Sequence, residues 1–285
     1  MPLFYIFLAI LVCLGLSIFL YRQNNRLSVT RLEYSSVELP EAFDGFRIAC
    51  LADLHNKRFS ADQQPVLEIL HREAPDLIAF CGDLIDGHTG SNMQSALTLM
   101  AGCLQIAPVY YVSGNNEAKN SHVASLFTQL EQLGVHLLRN SSAFLYRNTE
   151  SICLLGLDDM AFQQKSKSPH RTAVFQQHLQ ALSASASGFK ILLSHRPELI
   201  ELYNRANVQL VLSGHAHGGQ FRLPLIGGLF APGQGVFPKY TAGLHHFSNF
   251  SLAITRGLGN SSFPFRLFNP PEILILTLHN KKEES

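Results

Sequence analysis

The sequence predicts an α/β domain built on a mixed sheet and carried behind one N-terminal membrane helix. Three observations lead there. Short apolar runs alternate with stretches of helical spacing, five of those runs end in clusters of Asp, His, Asn and Gly, and the first 21 residues carry no charged side chain. At 285 residues the chain has the length of one large domain or two small ones. With 22 Lys+Arg against 21 Asp+Glu it lacks a basic footprint, so no nucleic-acid binding is expected. A hydrophobic content of 46% excludes disorder. Five Cys without a C-x-x-C pair give neither a disulfide framework nor a zinc-finger spacing. The charged fraction, 15%, is below the roughly 25% of ordinary soluble domains, and 13 His are a compositional oddity.

Residues 3–21 are almost wholly apolar, and as a helix they would span about 28 Å, close to the hydrocarbon thickness of a bilayer. No Lys or Arg precedes the run and no small-x-small site follows it, so an uncleaved anchor (1–21) is expected rather than a signal peptide. Arg22, Arg26 and Arg31 follow it, which by the positive-inside rule favours a cytoplasmic domain on a single-pass membrane protein. Cys50, Cys81, Cys103 and Cys153 lean the same way.

A polar tether at 23–26 opens a segment, 22–45, that holds the tether and a first strand, and the main domain is expected over 46–285. Within it 47–52 reads as a strand ending at Asp53, 61–72 as a helix after a Ser60 cap, and 76–81 as a strand ending at Gly82-Asp83. Residues 93–104 read as a helix, 108–112 as a strand, and 123–133 as a helix. Residues 143–147 and 152–157 are strands with no helix between them, which implies a hairpin and hence a mixed sheet. A solvated loop with Lys165, Lys167 and Arg171 leads to a helix near 171–182. Strands at 190–193, 209–212, 251–255 and 272–278 complete the order.

The strand ends carry the chemistry: Asp53-Leu54-His55, Gly82-Asp83, Gly114-Asn115-Asn116-Glu117, Ser194-His195, and Gly214-His215-Ala216-His217. In an open α/β sheet the carboxyl ends of the strands form the ligand crevice. Asp53 and His55, two apart, project to one face if strand geometry persists, and His215 and His217 repeat the spacing among glycines. Singly, each motif has a bland reading: Asp53 and Asp83 as caps, Asn115 as a left-handed turn residue, the two His as glycine-turn residues. Together, two Asp, one Asn and four His are too many donors for one four-coordinate zinc and suit two metals sharing a carboxylate. Mixed oxygen and imidazole donors favour manganese, iron or zinc. G-x-S-x-G and the phosphate-binding G-x-x-x-x-G-K-[ST] pattern are both missing, so serine-hydrolase and P-loop readings have no support.

The ordered set D-x-H, G-D-x-x-D, G-N-x-E, a lone strand-end His and G-H-x-H-G-G-Q resembles the calcineurin-like metallophosphoesterase superfamily, from about residue 47 to the end. Arg256-Gly257-Leu258-Gly259 and Pro271-Glu272-Ile273 resemble its bacterial membrane-anchored branch. The resemblance implies a four-layer sandwich, two mixed β-sheets face to face with helices outside. It implies one metal on Asp53, His55, Asp83 and His217, and a second on Asp83, Asn115, His195 and His215. It also implies hydrolysis of phosphoester or pyrophosphate bonds by a metal-bridging hydroxide.

Asn116 departs from the family, which usually has His there. Asparagine donates a hydrogen bond but no proton near neutral pH. Asn116 then stabilises charge alone, another group such as His88 or Glu117 supplies the proton, or the leaving group is acidic enough to need none. Asp86 is expected to orient a ligand or cap a helix. Arg256 and Arg266 are expected to bind a substrate phosphate or form surface ion pairs. Residues 221–240, rich in Phe and Leu, either pack on their own core or form a lip beside the metals that touches the bilayer or an acyl chain. Three functions remain open: a phosphoesterase acting on a phosphorylated small molecule or lipid-linked substrate, a lipid-linked nucleotide-sugar pyrophosphatase similar to UDP-diacylglucosamine pyrophosphatases, and a non-catalytic metal-binding scaffold.

Overall fold

The structure, a computed structural model, describes residues 2–88, 92–163, 168–260 and 263–282. Helix α1 (Pro2–Asn25) buries none of its apolar side chains and exposes nearly all of them, with Phe19 and Leu20 half-buried at its C-terminal end, the reverse of a core helix. It is long and apolar enough to cross a membrane. The residues expected as a tether, 23–26, mostly prolong it: no Pro or Gly there breaks the hydrogen-bond ladder, and the Arg26 N–H still donates to the Arg22 carbonyl.

The first sheet runs in the order β1 (Ser28–Ser36), β16, β2 (Arg47–Leu51), β3 (Leu77–Cys81), β4 (Val109–Val112) and β5 (His136–Leu137), with β16 (Glu272–Asn280) returning from the end of the chain. Strands β2 to β5 are parallel, β16 is antiparallel to β2, and β1 runs parallel to β16 with Ser28 opposite Glu272. Every residue of β3 and β4 is buried, as a parallel strand covered on both faces requires. The crossovers are α2 (Gln64–Glu73), α3 (Gln94–Leu104) and α4 (Val123–Leu133). In α4, Leu126, Phe127 and Leu130 form the buried stripe, and Gly134 at φ 101° ends the helix in the left-handed conformation that a side chain would resist. Helix α2 starts three residues later than its spacing predicts, yet the Ser60 hydroxyl does accept the Gln64 N–H at 3.0 Å.

The second sheet runs β14, β15, β9, β8, β7, β6. Its members are the antiparallel hairpin β6 (Ser141–Arg147) and β7 (Glu150–Gly156), then the parallel β8 (Lys190–Leu193), β9 (Leu210–Ser213) and β15 (Ser251–Ile254), with β14 (Gly243–His246) antiparallel at the edge. Helices α5 (Ser168–Ser185) and α6 (Ile200–Asn204) cover it. Arg171 lies in α5, whereas Lys165 and Lys167 of the expected loop lie outside the described residues. Two small hairpins follow β9: β10 (Arg222–Leu223) with β11 (Gly227–Gly228), and β12 (Phe230–Ala231) with β13 (Gly235–Val236).

Three apolar cores separate the layers. One, with Ile48, Cys50, Leu154, Leu193 and Leu212, lies between the sheets. Another, with Phe80, Leu99 and Leu130, lies under α2 to α4, and the third, with Phe175, Leu179 and Tyr203, lies under α5 and α6. Two mixed sheets face to face with helices outside is the architecture that the resemblance implied. All five cysteines are free.

Candidate metal centre

The strand ends meet at one edge of the sandwich, but not by extended geometry. Strand β2 stops at Leu51, and Asp53 (φ 55°) and His55 (φ 50°) both lie in the left-handed region. Strand geometry does not persist to His55, so the condition for a shared strand face is not met; the turn itself brings the pair together, with His55 Nε2 4.0 Å from Asp53 Oδ1. Asp83 (φ 53°), His215 (φ 64°) and His217 (φ 47°) share this conformation, which costs a non-glycine residue about 1–2 kcal/mol. Strained backbone of this kind persists only where surrounding contacts over-determine it.

Those contacts are specific. The Glu117 carboxylate, fully buried, accepts the backbone N–H groups of Gly114 at 2.7 Å, Asp83 at 2.9 Å and Ile85 at 3.1 Å, and so fastens the loop after β4 to the loop after β3. The Asp53 carboxylate accepts the His215 N–H at 2.9 Å, joining the two sheets. Asn269 donates to the His217 carbonyl at 2.7 Å. At Gly82 (φ 86°) a Cβ would stand 2.8 Å from His195 Nδ1 and 2.7 Å from the Gly114 nitrogen, so only glycine lets the loops approach this closely.

Two groups of donor atoms result: Asp53, His55 and His217, and Asp83, His195 and His215, with the atoms of each group within 4.8 Å of one another. His55 Nε2 and His217 Nε2 are 3.2 Å apart, and His195 Nε2 and His215 Nδ1 are 3.1 Å apart. Asp83 Oδ2 lies 3.7 Å from His55 Nε2 and 3.3 Å from His195 Nε2, so one carboxylate oxygen reaches both groups. Asn115 is buried beside them with an Oδ1 that has no hydrogen-bond partner, and His215 Nε2 is likewise unpartnered. All seven sequence-predicted metal residues are thus brought together.

The electrostatics suit cation binding. Burial, aided by neighbouring cations, drives His215 and His217 well below the ordinary imidazole value, which leaves them neutral with a lone pair to offer. His195 donates from Nδ1 to the Cys81 carbonyl at 2.7 Å, aiming Nε2 inward. Burial opposes protonation of His195, but the Asp83 carboxylate overrides it and pushes the ring up to about 10; a cation entering there competes with that proton. Burial also works against Asp83, yet the charge and hydrogen bond of His195 hold it well below the usual carboxylate range. Asp53, where burial dominates, is pushed up to about 6. Orphaned oxygen and nitrogen atoms, neutral imidazoles and carboxylates facing one another are the donor set that divalent cations take.

The groups floor a cleft of about 450 Å³, lined also by Asp86, His88, Asn116, Lys119, Pro232 and Asn260. Asn116 donates from its backbone to Asp83 Oδ1 at 2.8 Å and from its side chain to Asp83 Oδ2 at 2.7 Å, so it sits on the shared carboxylate. Asp86 Oδ1 lies 3.5 Å from His55 Nδ1, as an orienting group should. Glu117, considered as a proton donor, is occupied by three amides and does not line the cleft. Arg256 and Arg266 do not line it either. Arg256 pairs with Glu272 at 2.7 Å, and Arg266, fully buried, donates to the carbonyls of Gly259, Gly257, Arg256 and Asn269. They hold the tail loop rather than substrate or a surface ion pair. Lys119, in the turn after Glu117, is the lining residue that the motifs did not single out.

The calcineurin-like phosphoesterase family model matches residues 46–219, well over half of the chain and all seven metal-site residues. The chain belongs to the calcineurin-like phosphoesterase family. Among curated relatives, the metallophosphoesterase YkuE of Bacillus subtilis is 28% identical over 262 residues, covering 90% of this chain and 87% of its own. Phosphodiesterase YaeI of Escherichia coli is 28% identical, with 82% of each chain covered. A transmembrane protein with a metallophosphoesterase domain from Danio rerio is 29% identical over 88% of this chain, which spans 57% of that longer relative. The chain is a metal-dependent phosphoesterase, a hydrolase acting on phosphoester bonds.

Proposed function

We propose that the two donor groups hold two divalent cations, manganese, iron or zinc, and that this phosphoesterase cleaves a phosphoester or pyrophosphate bond beside a membrane. In this reading Asp53, His55, Asp83 and His217 bind one ion, and Asp83, Asn115, His195 and His215 bind the other. The observation that carries it is Asp83 Oδ2, within 3.7 Å of an imidazole nitrogen in one group and 3.3 Å in the other. When bound, the ions supply an activated water and a net charge of about +2 against the two carboxylates, which draws a phosphate.

The chain's own residues do the rest. Asn116 keeps Asp83 oriented through two hydrogen bonds. Lys119, at the cleft wall, offers positive charge to the substrate phosphate. His88 is the one imidazole lining the cleft outside the two donor groups, among the described residues, and so the side chain there suited to serve as proton donor to a leaving oxygen. Without it, an acidic leaving group would be needed, such as the aryl oxide of an aryl phosphate or the nucleotide of a pyrophosphate linkage. Helix α1 is proposed to span the bilayer, with Arg22 and Arg26 and the domain on the cytoplasmic side; digestion of the domain by protease in intact cells would overturn that orientation.

A lipid-linked nucleotide-sugar pyrophosphatase is the second reading. It is favoured by the exposed apolar side chains of the loops around Pro232 and Asn260, two residues of the cleft wall. The test is a metal-supplemented panel of bis-p-nitrophenyl phosphate, p-nitrophenyl phosphate and a nucleotide diphospho-sugar, with Asp83→Ala as control. Turnover of one class by the native chain and loss in Asp83→Ala is expected. Less than one metal per chain and no turnover would instead favour a scaffold.

A further inference from the structure

The family match ends at Gly219, and the loops that follow it form one side of the cleft. We infer that residues 221–240 and 263–268 are a second membrane contact, lying in the headgroup and upper acyl region of the bilayer where α1 leaves it and turning the cleft toward lipid headgroups. This rests on α1 spanning the membrane.

Four observations converge. Twelve large apolar side chains are exposed outside α1 among the described residues; four are Val37, Leu133, Phe144 and Tyr146, and the other eight all belong to these two segments. They include Ile226 at the tip of the β10–β11 hairpin, Phe237 just past β13, and Phe268 in the tail loop, each more than half exposed. Of the two alternatives for this stretch, packing on its own core holds only for part of it: Phe221, Leu223, Leu229 and Tyr240 are half-buried, while Leu225, Ile226, Phe230 and Phe237 are exposed. An apolar concentration of this kind marks a contact surface.

The two segments are also one surface, tied to the helix. Phe221 packs on Phe263 at 5.2 Å and Phe265 at 5.5 Å, and the Arg222 N–H donates to the Leu267 carbonyl at 2.9 Å. Phe268 packs on Phe19 of α1 at 5.8 Å, and the Arg266 N–H donates to Asn24 Oδ1 at 2.9 Å. The Lys57 ammonium, from the loop of the metal centre, donates to the Asn24 carbonyl.

Depth follows from helix geometry. Phe19 lies six residues before the end of α1 at Asn25, about 9 Å along the axis, inside the charge-free run. A side chain packed beside it shares its level, so a spanning α1 carries Phe268 to the edge of the hydrocarbon. Charge points to the same occupant. From Leu202 to Pro271 the chain contains no Asp or Glu, and exposed Lys239 places a positive charge on the first segment. A surface that is apolar, aromatic and free of carboxylates matches an anionic lipid face. Pro232 and Asn260 connect that face to the cleft wall.

The chain has no Trp, so single replacements give clean depth probes. The full chain would be reconstituted in phosphatidylcholine–phosphatidylglycerol vesicles with lipids brominated at shallow or at deep acyl positions, carrying Leu11→Trp, Ile226→Trp, Phe268→Trp or Tyr146→Trp; shallow bromines probe 226 and 268 and deep ones probe 11. Position 146, exposed on β6 at the far edge of the second sheet, is the control. Blue-shifted emission and loss of intensity are expected at 226 and 268 as well as at 11, with neither at 146. Quenching at 11 combined with solvent-like emission at 226 and 268 would overturn the docking while leaving the anchor intact. A blue shift at 226 without lipid quenching would mean a protein partner or a second copy covers the face, and overturns it also. An unquenched Leu11→Trp would remove the spanning helix and the docking with it.

Discussion

Glu117 offers the sharpest test of how the metal centre is held. Its carboxylate accepts three backbone amides from two loops, two on Oε2 and one on Oε1. Glu117→Gln keeps the shape but leaves one oxygen: the Asp83 and Gly114 amides retain a neutral acceptor, while the Ile85 N–H meets an NH₂ group. An orphaned buried N–H costs about 1–3 kcal/mol, and weakening two charge-assisted bonds to neutral ones adds about 1 kcal/mol each. Relief from burying a charge offsets part of this. The net expectation is a loss of about 2 kcal/mol, or a fall in Tm of about 4–8 °C for a chain of this size. Because the freed loops carry Asp83 and Asn115, metal affinity should fall about 10- to 100-fold. Thermal unfolding under chelation and a manganese titration by calorimetry measure the two separately. A Glu117→Gln variant with unchanged Tm and unchanged metal affinity would refute the clamp, and a Tm loss alone would confine Glu117 to folding.

Asn116→Ala removes the hydrogen bond to Asp83 Oδ2 and should lower kcat for bis-p-nitrophenyl phosphate by about 10- to 100-fold with little change in KM; equal losses with aryl and alkyl diesters would argue against a requirement for an acidic leaving group. Glu73, paired with Arg31 at 2.5 Å, is held below 4.5 chiefly by that hydrogen bond. Its stabilising contribution is therefore present above pH 4.5 and lost as pH falls through the lowered value, so Glu73→Gln should flatten the acid limb of thermal stability and leave the alkaline limb alone. At His55, left-handed at φ 50°, glycine should be more stable than alanine by about 1 kcal/mol in chelated protein, the reverse of the usual order. A His55→Ala variant at least as stable as His55→Gly would mean the backbone there carries no strain.

Much of the architecture is legible in the sequence because the central strands are continuous apolar runs with turn residues after them. The β8 span and the α4 span coincide with the runs that predict them. Boundaries shift where a local contact intervenes, as where Ser60 caps from four residues ahead of Gln64. Strands of two residues, such as β5 and β10 to β13, contain no periodicity to read. The donor residues are legible because five strands end at one edge, but the means by which Asp53 meets His55 is not, since nothing in D-x-H announces a left-handed turn. Arg256 and Arg266 defeat sequence reasoning for a related reason. An arginine satisfied by four loop carbonyls looks, in one dimension, the same as one waiting for a phosphate.

The same structure separates what makes the chemistry from what selects its substrate. The five strand ends that supply the donors fall within residues 46–219, and their backbone is fixed by buried contacts that tolerate little change: the Glu117 clamp, the Asp53 bridge between sheets, the close approach of Gly82 to Gly114. The cleft wall opposite, at Pro232 and Asn260, comes from loops whose own contacts are mostly short hairpins and exposed rings. The hairpins around Pro232 can vary in shape and polarity more freely than the loop around Asn260, which is tied to the metal centre by the Gly259 N–H to the Asp53 carbonyl and by Asn269 to the His217 carbonyl. In the proposed reading, selection of the phosphorylated substrate would fall to the wall at Pro232 and Asn260, whose loops pack beside α1.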